Sequence, residues 1–101
     1  MSITSQLSAD GKTLTIAIDG RFDFSSHQDF RKAYEQVDRP VSAYVLEMAK
    51  ASYLDSSALG MLLLLRDHAG GDNADISITH CSEDVKKILT ISNFQQLFKV
   101  I

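Results

Sequence analysis

Between Tyr53 and Gly60 the chain reads Tyr-Leu-Asp-Ser-Ser-Ala-Leu-Gly, which sets the hydroxyls of Ser56 and Ser57 beside the Asp55 carboxylate where a strand-like pattern gives way to an apolar run. Such residues serve three chemistries. Asp55 or Ser56 can cap a helix by accepting a hydrogen bond from a free N–H of its first turn. A serine paired with a base and an aspartate can act as a nucleophile. A serine at a helix N-terminus can also accept a phosphoryl group, because the free N–H groups and the positive end of the macrodipole stabilise an anion there. A phosphate on Ser56 would then leave the helix intact. Its effect would fall on whatever docks over the turn, where about two negative charges and three acceptor oxygens replace a small neutral group.

The nucleophile is the weakest of the three. No Gly-x-Ser-x-Gly elbow surrounds Ser56 or Ser57, and His68, a candidate base beside His27, lies about three turns along the same helix. His80-Cys81 has no further ligands at productive spacing, so no metal site is expected, and the pair reads as a surface histidine beside a small buried thiol. The chain contains no Gly-x-x-x-x-Gly-Lys loop and no dinucleotide fingerprint. No cofactor is expected, and any kinase acting on Ser56 must be another protein.

These residues need a scaffold that brings a strand end and a helix start together. Leu14, Ile16 and Ile18 alternate with Thr13, Thr15 and Ala17, the period of a half-buried strand, and Asp10-Gly11 suggests a tight turn that folds Ile3 to Leu7 back as an edge strand. Ser25 and Gln28 make a capping box for a helix through Phe30, Ala33, Tyr34 and Val37 that reaches Asp38 and stops at Pro40. Tyr44-Val45-Leu46 with Met48 then reads as a central strand covered on both faces.

The second helix is expected from Ser56 to His68, stopped by Gly70-Gly71-Asp72-Asn73. Residues 58–65 are apolar except for Gly60, so both sides of this helix need cover. Leu59, Leu62 and Leu63 are assigned to the sheet, with Met61 and Leu64 nearer a partner-facing rim. Ile76 and Ile78 form a further strand, and Ser82-Glu83-Asp84 opens a last helix that buries Val85, Ile88 and Leu89. Strands alternating with helices after a hairpin define an α/β domain with a mixed sheet of about four to five strands. In the loop Phe22-Asp23-Phe24-Ser25-Ser26-His27, one aromatic is expected to anchor the loop and Asp23 to order it through backbone N–H groups.

Composition narrows the class of protein. The 101 residues, 45% of them hydrophobic, suit a single domain spanning 1–101 with one core. One cysteine, Cys81, leaves no intramolecular disulfide and fits a reducing compartment, so the cytoplasm is the expected location. The first residues carry no basic and apolar leader, and no apolar run approaches the roughly 20 residues that span a bilayer. With 10 basic and 13 acidic residues and a net charge of -3, there is no basic cluster of the kind that binds nucleic acid.

Leu54-Asp55-Ser56-Ser57-Ala58-Leu59-Gly60 resembles the signature of the STAS-domain anti-sigma factor antagonists, usually Asp-Ser-Ser-Gly-Leu-Gly. Gly20-Arg21-Phe22-Asp23 resembles that family's Gly-x-Leu-Asp turn, and Leu97 to Ile101 its closing segment. Ala58 and Phe22 are the departures, standing for the usual glycine and leucine. The resemblance implies a STAS fold with helices packed mainly on one face of the sheet, and a non-enzymatic switch in which Ser56 is the phosphorylated serine and Ser57 its neighbour. It further implies a monomer that binds an anti-sigma factor or serine kinase when Ser56 is unmodified and is reset by a serine phosphatase, regulating transcription. Asp55, Ser56, Ser57, Leu59, Met61, Asp23 and Phe24 are the expected partner-binding residues. The alternative is an accessory subunit of an ABC transporter of the lipid-trafficking type, which needs no phosphoserine.

Overall fold

The computed structural model of the chain describes residues 2–101. Strands β1 (Ser2–Leu7), β2 (Thr13–Phe22), β3 (Ala43–Leu54), β4 (Ile76–Thr79) and β5 (Lys99–Val100) form one sheet in the order β1-β2-β3-β4-β5. The first pair is antiparallel and the other three are parallel. Helices α1 (His27–Glu35), α2 (Ser56–His68) and α3 (Glu83–Ile91) follow β2, β3 and β4. This is a single α/β domain with a mixed five-stranded sheet and three helices.

Register explains where the core lies. Leu14 pairs with Tyr44, which pairs with Ile76, and Ile16 pairs with Leu46, which pairs with Ile78; all six side chains are buried. They meet Phe30 and Tyr34 from α1, Ala58, Met61, Leu62 and Leu65 from α2, and Val85 and Leu89 from α3 in one cluster. The residues between them, Thr15, Ala17, Val45, Glu47, Ser77 and Thr79, point the other way and stay half-exposed. The helices therefore pack on one face. The expectation that β3 is covered on both sides fails at Val45, because among the described residues no helix crosses the second face.

The connection between β1 and β2 is longer than a tight turn. It runs from Ser8 to Lys12 and is closed by Ser8 N–H to Thr13 O (2.8 Å) and Gly11 N–H to Ser8 O (2.9 Å), with Gly11 in the left-handed region at φ 73°. Asp10 accepts from the Ser8 hydroxyl at 2.6 Å and holds the loop shape. Helix α1 ends at Glu35, ahead of the Asp38 boundary expected from Pro40, and Gln36 is its last cap.

At the C-terminal ends of β2 and β3 the pairing slips twice, between Ala17 and Asp19 and between Gly20 and Arg21. Beyond Met48 the buried residues of β3 therefore fall at Ala51 and Leu54 instead of alternating. Bulges of this kind re-aim a strand end. Here they return Leu54 to the core opposite Phe22, so that Asp55 and Asp23 emerge side by side.

Candidate phosphoacceptor turn

Two strand ends present the same motif. Arg21-Phe22-Asp23 and Tyr53-Leu54-Asp55 each place a buried side chain before an aspartate, and the register pairs Arg21 with Tyr53 and Phe22 with Leu54. Asp55 N–H reaches Phe22 O at 3.4 Å, tying the two ends together. Each aspartate then caps the helical turn that begins after it. Asp55, extended at φ -102° and ψ -177°, accepts the Ala58 N–H (2.9 Å) and the Ser57 hydroxyl (2.6 Å) on one oxygen. Asp23 likewise accepts the Ser25 N–H (3.0 Å) and hydroxyl (2.6 Å) on one oxygen, opening a short 3-10 turn, Phe24–Ser26.

The capping box of this second turn is Asp23 with Ser26, whose Oγ accepts the Asp23 N–H at 3.4 Å, and not Ser25 with Gln28. The helical turn starts directly after β2 ends at Phe22, two residues earlier than a Ser25 cap would place it, so Asp23 is the cap. Phe22 is the aromatic anchor, fully buried against Phe30 with ring centroids 4.9 Å apart. Phe24 is 77% exposed, stacked loosely on His27.

With Asp55 as the cap, Ser56 becomes the first residue of α2 and is exposed. Ser57 spends its hydroxyl on Asp55 and is half-buried. Among the described residues, nothing takes up the Ser56 hydroxyl. The Ser57 hydroxyl, and after it the Ala58 N–H, hold the Asp55 carboxyl below its ordinary pKa. The Ser25 hydroxyl does the same for Asp23, against its partial desolvation and the like charge of Asp55. Both carboxylates are ionised at neutral pH, and the exposed Ser56 directly follows Asp55 in the chain.

The turn thus brings together Asp55, Ser56, Ser57, Asp23 and Phe24. Leu59 lies half-buried in the first turn of α2. Met61 does not belong to this surface: it is 4% exposed, packed in the core with Leu62, whereas Leu63 and Leu64 are 42% and 54% exposed. The assignment of Leu63 to the sheet and Met61 to a rim is reversed, because Ala58, Met61, Leu62 and Leu65 follow the i, i+3, i+4, i+7 stripe set by the cap. Sequence reading also passed over Arg21 and Tyr53. The Arg21 guanidinium lies 4.6 Å above the Tyr53 ring and 3.7 Å from the Asp23 carboxylate. The repeated spacing of Arg21-Phe22-Asp23 and Tyr53-Leu54-Asp55 was the available signal.

The candidate base His68 is not brought to this turn. His68 packs against Tyr34 at the opposite end of α2, ring centroids 4.9 Å apart. Among the described residues no three His, Cys, Asp or Glu side chains gather as a metal site, and no helix is long and apolar enough to cross a membrane. Cys81 is half-buried, and that burial raises its thiol pKa.

A parallel sheet whose strand ends feed capped helices, with an antiparallel edge hairpin, is the architecture of STAS domains. The chain belongs to the STAS family: residues 5–100 match the family described as Mlab, STAS domain. It is 65% identical over 100 residues to a STAS-domain containing protein of Pseudomonas aeruginosa strain UCBPP-PA14, covering 99% of each chain. Its fold matches that of the anti-sigma factor antagonist SpoIIAA in its unphosphorylated form, with a TM-score of 0.79 at 17% identity, over 99% of this chain and 88% of that one. It also matches an antisigma-factor antagonist STAS domain from Rhodobacter sphaeroides, with a TM-score of 0.58 at 25% identity, over 83% and 94%.

Proposed function

We propose that this chain is an anti-sigma factor antagonist, a non-enzymatic binding module of the cytoplasm whose partner affinity is set by phosphorylation of Ser56. The observation that carries this reading is the division of labour in the turn. Asp55 and Ser57 hold each other and cap α2, which leaves Ser56 exposed with its hydroxyl free. A serine kinase would transfer the γ-phosphoryl group of ATP to Ser56 Oγ, with loss of the hydroxyl proton, and a phosphatase would hydrolyse it.

The unmodified surface, formed by Asp55, Ser56, Ser57, Asp23, Phe24 and the exposed part of Leu59, docks on an anti-sigma factor or switch kinase. Phosphate then adds repulsion and desolvation cost. A difference of about 3 kcal/mol in partner affinity changes occupancy more than a hundredfold, which is sufficient for a switch that frees or sequesters a sigma factor.

Beads carrying the unmodified chain and beads carrying the Ser56-phosphorylated chain, challenged with one native-cell extract, test the direction. An anti-sigma factor or serine kinase should be enriched on the first and lost from the second. Equal enrichment on both contradicts release on phosphorylation. A transport ATPase retained on both would instead assign the chain to an ABC transporter as an accessory subunit.

A further inference from the structure

We propose that Arg21 is the internal counter-charge of the Ser56 phosphate: on phosphorylation its guanidinium leaves Asp23 and grips the phosphate across the ends of β2 and β3. This rests on Ser56 as the acceptor and adds how the modified turn is held. A phosphate on Ser56 brings about two negative charges to a turn that already carries the Asp23 and Asp55 carboxylates. These carboxylates feel each other, and Arg21 is the cation that acts on both.

The guanidinium is only loosely committed. Its Nε stands 3.7 Å from Asp23, beyond hydrogen-bond distance, and the side chain is 63% exposed. Its Cζ stands 4.6 Å from the centroid of the Tyr53 ring, a cation–π contact that leaves the guanidinium's N–H donors without a close hydrogen-bond partner among the described residues. Strand register places Arg21 directly beside Tyr53, three residues before Ser56. A phosphate there offers paired oxygens that match the fork, and a bidentate, charge-assisted contact outcompetes a long single one. Moving Arg21 also changes the surface at two further places, since it bares both the Asp23 carboxylate and the Tyr53 ring. A partner would then read the modification at three points instead of one.

Phosphoserine installed at position 56 during translation, with no kinase involved, allows a phosphorus NMR titration through the phosphate's second pKa near 6. In the phosphorylated wild type that pKa should lie roughly half a unit below its value in Arg21→Gln, about threefold in acidity, as an exposed ion pair supports. Arg21→Lys should recover part of the shift without the fork. The Arg21 Nε resonance of the phosphorylated wild type should also move with the same titration. Superimposable curves for wild type and Arg21→Gln, or an Arg21 Nε signal indifferent to phosphate ionisation, overturn the inference; the second readout needs no variant to fold. Failure of Ser56 to be phosphorylated in cells is a different outcome, which removes the switch and leaves this titration unaffected.

Discussion

Asp55 uses one carboxylate oxygen to cap α2 and to hold the Ser57 hydroxyl, and this leaves Ser56 available. Replacing it by alanine should lower stability by about 1 kcal/mol, the usual cost of losing a side-chain cap, read as a shift in the urea midpoint. The same residue gives the chain an acid limb. Asp55 and Asp23 have folded pKa values below those of the unfolded chain, so their contribution is present above the ordinary carboxylate value near 4 and disappears as pH falls through the folded values. A double Asp23→Asn, Asp55→Asn variant should keep the caps and lose less stability than wild type between about pH 4 and pH 2, the range in which such carboxylates protonate. Parallel acid curves would show that the two turns contribute nothing through ionisation. The identity of the turn was legible in the sequence, but which of Asp55 and Ser56 caps the helix was not, because both residue types cap and only the strand's end point separates them.

Helix α2 carries the clearest correction. Its limits, Ser56 to His68, follow from a cap before an apolar run and paired glycines after it. Its faces do not, because a segment apolar all round has no polar stripe to mark the outside. The bulged end of β3 was equally hidden: Ala49 to Tyr53 do not alternate, so a strand extending to Leu54 cannot be read from periodicity. The observed facing gives a sharp contrast. Leu62→Ala should cost about 2–5 kcal/mol as a core truncation, while Leu64→Ala should stay within roughly 0.5 kcal/mol, both measured by chemical denaturation. Similar costs at the two positions would contradict the facing of α2. Gly60 adds a test of opposite sign. A Cβ there would meet nothing within 4 Å, so Gly60→Ala should stabilise the helix by up to about 1 kcal/mol, seen as a higher melting temperature.

At the scale of the molecule, the order of strands and helices was legible because each has its own period, and a parallel sheet with helix crossovers is the solution that connects them. That the helices share one face shows only in the register, where Val45, Glu47, Ser77 and Thr79 stay half-exposed. The chain exposes 5980 Å², close to the roughly 5700 Å² expected of a compactly folded chain of 11.2 kDa. Light scattering behind size exclusion should give a single species at the monomer mass. A stable dimer that buries the Ser56 turn would compete with the proposed partner and contradict the one-to-one switch.

The architecture delivers two parallel strand ends, two capped turns and the exposed Ser56 to a single edge of the domain. The most direct test of that serine's role is peptide mass spectrometry of the chain purified from its native cells in exponential and stationary phase, beside Ser56→Ala. A working switch predicts a phosphate on the Asp55-Ser56-Ser57 peptide whose occupancy differs between the two phases and which is absent from Ser56→Ala. An unmodified peptide in every condition, or a phosphate that persists in Ser56→Ala, would contradict it.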